Sequence, residues 1–321
     1  MLYIPSLLRR DDLGTVRRRT GGYRASAIEG DLVRVRPGVF ALGEEWQRAR
    51  PEGLVVARAR ALTLTASEPP VFSHETAAAI HALPLFRPDP LRVHISLDSR
   101  RPGACTGTVR HRAELRDDEV VEVDGLRVTS LSRTVADVAR TASRERAVVV
   151  ADAALRRAAG GPQQDDYDLE EAAAFCAVVR TIANRSAHGS ARAERVLAFA
   201  DGRAQLPGES ISRIRLVQLG FHGIRLQVRV PGPNGDPYFV DFGGDGDDGF
   251  WLGEFDGRTK YADADMRRGR SPARVVEAEK FREDWIRGVT RAPMARWGWT
   301  HIDTPEALGT RLRAFGIRPP R

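Results

Sequence analysis

Residues 230–257 read VPGPNGDPYFVDFGGDGDDGFWLGEFDG and contain seven carboxylates but neither lysine nor arginine. The whole chain has 50 basic residues, so this acid-only segment differs sharply from its surroundings. Two short apolar runs, YFVDF and FWLGEF, flank the turn-forming GGDGDDG, and this pattern predicts a β-hairpin. Carboxylates on paired strands repel one another unless a divalent metal or shared protons offset their charge. The hairpin is therefore the first candidate for chemistry in the sequence.

The segments around the hairpin predict a regular series of elements. GESISRIRLVQLG predicts a helix and IRLQVRV a strand before the hairpin, and VVEAEKFREDWIRG, RWGWTHI and PEALGTRLRAFG predict a helix, a strand and a helix after it. The predicted order is thus α-β-β-β-α-β-α. Asp241 and Glu254 would lie on paired strands, and Glu209 at the front of the first helix could join them. Three converging carboxylates are the oxygen ligands that Mg²⁺ uses in phosphodiester hydrolysis.

This segment resembles the PD-(D/E)XK nuclease superfamily, in particular its Vsr-like endonuclease branch, over residues 206–316. The residues that carry the resemblance stand in the first helix and the three strands or just after them: Glu209, Gln227, Asp241, Glu254, Asp256 and Lys260. The resemblance implies an α-β-β-β-α-β nuclease fold, a Mg²⁺ or Mn²⁺ ion and cleavage of DNA.

By the same resemblance, Glu209, Asp241 and Glu254 would be the metal ligands, and Gln227 would order the site. The superfamily's lysine usually stands two residues after the acidic strand residue, and this chain has Asp256 there. Either Lys260 or Asp256 would then position the attacking water. Only Lys260 and Lys280 are lysines among the basic residues, and Lys280 would lie on the helix behind the site.

The acids of the hairpin could also serve purposes unrelated to magnesium. A calcium loop starting at Asp245 is excluded, because Phe250 would stand at its sixth position, where glycine is required. A solvated turn accounts for Asp245, Asp247 and Asp248, which we leave out of the site. A further alternative is that the strand acids pair with arginines such as Arg213 or Arg258 and bind no metal.

Residues 1–43 are rich in arginine and predict two short helices followed by a strand pair. SLLRRDDLGTVRRRT has helical apolar spacing, and YRASAIEGD begins a second helix after Gly21–Gly22. LVRVRPGVFAL alternates apolar and basic residues around Pro37–Gly38, which is typical of a two-stranded wing. This order is that of a winged helix-turn-helix, with bases and phosphates contacted by Arg17, Arg18, Tyr23, Arg24, Ser26, Arg34 and Arg36. A basic protein–protein module is the alternative.

Residues 44–160 predict a mixed α/β domain. Helices are expected near residues 51–65, 74–83 and 132–157, and strands near residues 91–97, 108–112 and 126–129. His74-Glu75 and His81 lack the HExxH spacing of a zinc protease, so a capping or core position is predicted for these histidines. GGPQQDDYD at 160–168 marks the boundary to a helical linker at residues 161–205.

The first half of the chain resembles the AbiEi-type antitoxins of type IV toxin–antitoxin systems. The resemblance is carried in order by LVRVRPGVFAL, FSHETAAAIHALPL and DGLRVTSLSRTVADVAR. It implies a winged-helix domain that represses its own operon and a following domain that helps to neutralise a nucleotidyltransferase toxin, without necessarily touching it. DNA and such a toxin are the expected partners. The alternative function of the chain is accordingly an autorepressor whose nuclease fold is catalytically idle.

Composition limits the class of protein. The net charge of +7 and the pI near 10.0 permit a polyanionic partner. Cys105 and Cys176 provide neither a disulfide framework nor a zinc knuckle. No apolar run is long enough for a membrane span and no signal peptide is visible, so we expect a cytoplasmic protein without a membrane partner. The expected fold class is α/β (α+β), with the nuclease-like domain occupying residues 206–321.

Overall fold

A computed structural model describes residues 2–10, 32–98, 104–161, 166–233, 235–257 and 272–320. This part of the chain contains three β-sheets and ten α-helices, so the expected mixed α/β class is confirmed. The chain divides into two compact units, one made of Met1–Ala154 and Ala174–Phe199 and the other of Leu155–Ala173 and Ala200–Arg321. Among the described helices, none has both the length and the apolar composition that a membrane span requires.

The first sheet of unit one is antiparallel and has three strands in the order β1-β3-β2, where β1 is Leu8–Arg9, β2 is Leu32–Arg36 and β3 is Val39–Leu42. The predicted strand pair around Pro37–Gly38 is confirmed, and Gly38 takes the left-handed φ of +78° that its tight turn requires. The predicted first helix is wrong at its start, because Leu8 and Arg9 pair with β3 instead. The remainder of both predicted helices, at residues 11–31, lies outside the described residues.

The strand pair shares its core with a helix at residues 51–65. Val35, Val39 and Ala41 are buried together with Ala61 of that helix. Because this core joins residues 32–42 to the helix, the expected boundary at residue 43 does not separate two compact bodies in unit one. The segment expected to be a linker at residues 161–205 is likewise divided between the two units.

The second sheet of unit one is mixed and six-stranded, in the order β6-β7-β5-β4-β9-β8. Its strands are β4 Val71–Phe72, β5 Val93–Leu97, β6 Ala104–Cys105, β7 Thr108–Arg112, β8 Val120–Val123 and β9 Leu126–Thr129. The described helices up to residue 199 are α1 Gly43–Arg48, α2 Pro51–Thr65, α3 His74–Ile80, α4 Leu131–Thr141, α5 Arg144–Ala159, α6 Leu169–Ala183 and α7 Ser190–Phe199.

The middle segment agrees with its sequence pattern except at one long helix. The bounds of α2, β7 and β9 are those predicted. The single helix expected at residues 132–157 is two helices, because Ala142 adopts an extended backbone and ends α4. Ser143 then starts α5, and its Oγ accepts the backbone N–H of Arg146 at 3.4 Å, as an N-cap serine does.

Unit two is built on a four-stranded sheet in the order β10-β11-β12-β13, in which only β12 and β13 are parallel. The elements are α8 Pro207–Gln218, β10 Arg225–Val230, β11 Tyr238–Gly246, β12 Gly249–Phe255, α9 Pro272–Thr290, β13 Met294–Trp297 and α10 Pro305–Arg313. The predicted order α-β-β-β-α-β-α is therefore confirmed. The hairpin is tighter than expected, since β11 continues to Gly246 and only Asp247 and Asp248 form the turn.

Packing on the sheet holds α8 and α9 in place. Ile286 of α9 is buried with Val240, Leu252 and Met294 of the three neighbouring strands. The indole Nε1 of Trp297 in β13 donates a 2.8 Å hydrogen bond to Oγ of Ser212 in α8. This bond ties the helix that carries Glu209 to the strand beside Glu254.

Candidate functional site

Glu209 lies in the first turn of α8, in the interior of unit two. Its side chain is only 2% exposed. The close approach of the helix to the sheet depends on Gly208, because a Cβ at that position would come within 2.0 Å of the Phe255 ring at the end of β12. Glycine therefore lets the start of α8 lie against the end of the acidic strand and brings Glu209 to the sheet.

The strand pairing brings the other predicted residues to the same place. Leu226 pairs with Phe242 and Val228 with Val240, so Gln227 lies opposite Asp241 between these pairs. On the other side, Phe242 pairs with Gly253, and continuing this register by one residue sets Asp241 opposite Glu254.

We call Glu209, Asp241 and Glu254 the acid cluster. The structure thus places the three predicted metal ligands and the predicted ordering residue Gln227 on adjoining elements, but the oxygens of the three acids do not all lie within 4.8 Å of one another.

Gln227 links two of the acids. Its Nε2 donates to Oε2 of Glu209 at 3.5 Å, and its side chain also hydrogen-bonds Asp241. Gln227 has a φ of +50°, in the left-handed region that non-glycine residues seldom adopt. Such a conformation costs on the order of 1 kcal/mol and is found disproportionately at ligand sites.

Glu209 is a buried acid to which no arginine of the described part of the chain donates a hydrogen bond. The backbone N–H of Gln205 donates to its Oε2 at 2.8 Å. Burial, together with the nearby Asp241 carboxylate, raises the pKa of Glu209 to about 8. The folded chain therefore holds a proton on this carboxyl at neutral pH, since a buried like-charged pair resists ionisation.

Asp241 lies between the other two acids. Burial raises its pKa to about 6, the Phe255 backbone N–H opposes this rise, and the charge of Glu254 adds to it. That N–H donates to Oδ2 of Asp241 at 2.8 Å. Asp241 thus couples to both neighbours, and a cation that met Glu209 and Asp241 together would relieve the repulsion between them.

Glu254 differs from these two acids because arginines hold both of its oxygens. Nη1 of Arg282 in α9 lies 2.6 Å from Oε1, and Nε of Arg296 in β13 lies 2.7 Å from Oε2. Arg296 also pairs with Glu279, and Glu283 lies 3.5 Å from it. Burial alone would lower the pKa of Arg296, but Glu254 and Glu279 raise it above its usual value.

The arginine partners were not foreseen in the sequence. Arginine pairing of the acids was an open alternative, but with Arg213 or Arg258 as partners. Arg213 instead lies 3.7 Å from Asp201, and Arg258 lies outside the described residues. Arg296 faces Glu254 only because β13 is parallel to β12 and pairs Arg296 with Glu254, a partnership that local patterning does not reveal.

The remaining predicted residues are not members of the acid cluster or lie outside the described part. Asp256 is exposed just beyond β12, where its backbone N–H donates to the Trp297 carbonyl at 2.7 Å. Lys280 is exposed on α9. Arg34 and Arg36 flank the buried Val35 on β2, the first exposed and the second half-buried. Outside the described residues lie Arg17, Arg18, Tyr23, Arg24, Ser26 and Lys260.

The acids of the hairpin turn stay at the surface, as expected. Asp245, Asp247 and Asp248 are exposed. Asp245 lies 3.4 Å from Arg225, and both side chains are largely in solvent. Ion pairs of this kind contribute about 0–1 kcal/mol. These acids are not part of the acid cluster.

Comparison with known proteins gives two relatives from Mycobacterium tuberculosis. Over 220 residues the chain is 32% identical to the uncharacterized protein MT2308 of strain CDC 1551 and to the uncharacterized protein Rv2248 of strain H37Rv. The aligned region covers 66% of this chain and 70% of each relative. No protein-family model matches the chain, and no solved structure resembles it significantly.

Proposed function

This chain belongs to the same family as the two mycobacterial proteins, and we propose that its second unit is a Mg²⁺- or Mn²⁺-dependent nuclease that cleaves DNA. The observation that carries the proposal is the acid cluster: Gln227 links the buried Glu209 of the helix to Asp241, and the strand register sets Asp241 opposite Glu254. The local order of elements is also the one that the nuclease resemblance implies.

The donor set suits a hard divalent cation. Mg²⁺ and Mn²⁺ bind carboxylate oxygens, and Glu209 and Asp241 are two carboxylates to which no arginine among the described residues donates a hydrogen bond. Both acids have raised pKa values, so a cation that bound them would displace their protons and remove their mutual repulsion. Glu209 and Asp241 are therefore the ligands that fit best. Glu254 becomes available only when Arg282 or Arg296 releases one of its oxygens.

A bound Mg²⁺ or Mn²⁺ would polarise the scissile phosphate and lower the pKa of its water. The residues of the chain supply the rest. Gln227 holds Glu209 and Asp241 in a fixed relation. Arg282 and Arg296 provide positive charge beside Glu254, where a lysine is usual in the resembling nucleases, and can bind phosphate oxygens. A guanidinium does not lose its proton at neutral pH, so these arginines stabilise charge and Asp256 or Lys260 positions the water.

DNA as the substrate follows from the first unit and the overall charge. The net charge of +7 favours a polyanion. Arg34 and Arg36 stand on a strand pair that the winged-helix resemblance assigns to phosphate contacts. We propose that residues 1–43 bind DNA as a winged helix and that the second unit cuts it.

Cleavage of single- and double-stranded DNA in Mg²⁺ or Mn²⁺ tests the nuclease directly. The parent should cut, and Asp241→Asn and Glu209→Gln should lose more than about a hundredfold in rate, since even partners of metal ligands contribute 10–100-fold. Asp245→Asn is the matched control, because this exposed acid lies on the same hairpin. The nuclease is refuted by a parent that cuts neither DNA, or by ligand variants that cut as fast as it does.

A second function is favoured by the arginines on Glu254. Arginines pair with both oxygens of Glu254. This favours a second unit that has the nuclease-like order of elements but binds no metal. In that case the chain acts as an AbiEi-like autorepressor of a type IV toxin–antitoxin operon, and a nucleotidyltransferase toxin is its functional counterpart.

Binding to the DNA upstream of the protein's own coding sequence tests the repressor. Arg34→Ala and Arg36→Ala should each weaken binding and reduce the slope of log K against log salt by about 0.9 per lost phosphate contact. Arg229→Ala, an exposed arginine on β10, should leave the slope unchanged. Equal affinity for unrelated DNA of the same length would rule out a specific repressor.

A further inference from the structure

Three histidines from separate parts of unit one lie together at the edge of α3. His74 begins α3, His94 is in β5 and His111 is in β7. The strands β5 and β7 are parallel, with His94 opposite Val109 and Ser96 opposite His111. Because side chains two residues apart share a face of a strand, His94 and His111 project from the same face of the sheet. We call these three residues the histidine cluster.

The backbone around the histidine cluster is tightly held. The N–H of Ser73 donates to the carbonyl of His94 at 3.0 Å, and the N–H of His94 donates to Oγ1 of Thr76 at 2.9 Å. His74 itself has a φ of +53°, in the left-handed region. A non-glycine residue held in this region is one of the features that occur disproportionately at ligand sites.

The imidazole nitrogens are close enough to share one ligand. A nitrogen from each ring lies within 4.8 Å of the other two, and Nδ1 of His94 is 2.9 Å from Nε2 of His111. Two nitrogens bound to one tetrahedral Zn²⁺ at 2.0–2.1 Å stand about 3.3 Å apart. The observed separation differs from this by a few tenths of an ångström.

We propose that His74, His94 and His111 bind one borderline divalent transition-metal ion, of which Zn²⁺ is the type, with a fourth coordination position open. Imidazole is a preferred ligand of such ions, whereas Mg²⁺ takes oxygen. Three protein nitrogens with one free position are the arrangement of exchangeable or catalytic zinc sites.

One hydrogen bond prepares the cluster for a metal. Oγ of Ser73 lies 3.0 Å from Nδ1 of His74. A hydrogen bond on one ring nitrogen orients the imidazole and leaves Nε2 for the metal.

Metal binding requires one rotation of the rings. His74 and His111 are stacked with centroids 3.6 Å apart and planes at 17°, whereas a coordinating nitrogen must point its in-plane lone pair at the ion. Rotation about the terminal torsion of histidine is soft, so the rings can turn while the backbone stays. The ion would then join the start of α3 to two strands of the sheet.

Titration of the full-length, chelator-treated chain with Zn²⁺ and with Mg²⁺, followed by calorimetry, tests the site. We expect one Zn²⁺ per chain to bind at this site and Mg²⁺ not to displace it. Co²⁺ as a spectroscopic probe should give the intense visible absorption of a four-coordinate site. His94→Gln and His111→Gln should abolish this binding, and Ser73→Ala should weaken it by about 10–100-fold.

Two controls separate the site from unfolding and from the acid cluster. His188→Gln changes an exposed histidine of the same unit and should bind Zn²⁺ as the parent does, and so should Asp241→Asn. Circular dichroism melts in chelator establish that each variant is folded before titration. The proposal is overturned if the folded His94→Gln and His111→Gln variants retain the parent's Zn²⁺ affinity, or if the parent binds no Zn²⁺.

Discussion

Buried carboxylates occur in both compact units, and their surroundings are opposite in kind. In unit one, Nη1 of Arg133 lies 3.1 Å from the carboxylate of Glu119, and Arg185 also forms an ion pair with this carboxylate. Burial works against ionisation there, but the hydrogen bond from Arg185 and the charge of Arg133 outweigh it and lower the pKa of Glu119. In unit two, burial and the neighbouring Asp241 raise the pKa of Glu209 to about 8.

The difference teaches how to tell a structural acid from a functional one. At Glu119 the arginine partners outweigh burial and favour the charged form, whereas a buried acid beside another acid resists ionisation and gains from a ligand cation. Glu254 stands between these cases, since it lies beside Asp241 but is held by Arg282 and Arg296. The pairing of Glu254 therefore decides between a nuclease and an idle repressor.

The largest effect on the free energy of unfolding is expected from removing Arg133, the arginine that pairs with buried acids in unit one. Arg133 is 6% exposed and holds Glu119 and Asp137, the latter at 3.0 Å. Arg133→Ala should lower the free energy of unfolding by about 3–5 kcal/mol, because it removes the buried cation that Glu119 and Asp137 share. Urea unfolding at pH 7 measures this change.

Arg92→Ala is the control for this prediction. Arg92 pairs with Asp89 at the surface of the same unit, and its loss should change the free energy of unfolding by less than about 1 kcal/mol. Equal effects of the two substitutions would show that Arg133 is not holding buried charge.

The next largest effect is expected at Glu209 in unit two, where a substitution should raise the free energy of unfolding instead of lowering it. The pKa of Glu209 is higher in the folded chain than its usual 4.5, so the folded state keeps a proton that the unfolded state loses. Without metal, the contribution of Glu209 to stability should therefore fall as pH rises from about 4.5 to about 8. Glu209→Gln removes this loss and should stabilise the metal-free chain at pH 8.5 by on the order of a few kcal/mol.

Urea unfolding in chelator at pH 5 and at pH 8.5 measures this prediction. The gain of Glu209→Gln over the parent should appear at the higher pH and be small at the lower one. Asp245→Asn, which alters an exposed acid of the same unit, should give no such pH dependence. A Glu209→Gln variant that is less stable than the parent at pH 8.5 contradicts the raised pKa.

The smallest changes in stability are expected from two glycine substitutions in unit two. They test whether close packing of α8 on the sheet brings Glu209 to its place. Gly208→Ala places a Cβ against the Phe255 ring and should destabilise the chain by about 1–3 kcal/mol. Gly288, on α9, has nothing within 4 Å of the same added atom. Gly288→Ala should therefore stabilise the chain by about 0.5–1 kcal/mol, the helix preference for alanine.

Thermal melts measure both glycine substitutions. If α8 is held at the distance that sets the acid cluster, Gly208→Ala should also reduce the stabilisation that the proposed metal site predicts for the parent in Mn²⁺. A neutral Gly208→Ala would contradict the packing of α8, and destabilisation by Gly288→Ala would contradict the open space beside α9 at that position.

Local patterns were sufficient for much of the fold and for the acid cluster. The apolar spacing of Pro51–Thr65 and the alternation in Leu126–Thr129 predicted the helix and the strand that are observed. Glu254 and Asp241 stood out because a hairpin is a local structure, and its pairing can be inferred from a turn and two flanking runs. The break between α4 and α5 was missed, because the helical pattern continues through Ala142 and only the capping Ser143 marks it.

The histidine cluster shows what such patterns do not contain. The sequence excluded a zinc-protease pairing of His74 with His81 on their spacing, and Nε2 of His81 lies 2.8 Å from the carbonyl oxygen of Thr129. The neighbours of His74 are His94 and His111, which belong to strands that lie beside each other only in the folded sheet. The spacing of these residues along the chain follows no metal-binding motif, so their meeting was not predictable.

The sequence by itself determined the mixed α/β class, the order of elements in unit two and the presence of acids on one hairpin, because these depend on periodicity and turns within short segments. Only the tertiary structure decided which cations meet those acids and which histidines meet each other. Glu254 meets Arg296 through a parallel strand pair, and His111 meets His94 through another. Parallel pairing joins residues far apart in the chain, and its partners are selected by packing of the whole unit and not by any local pattern.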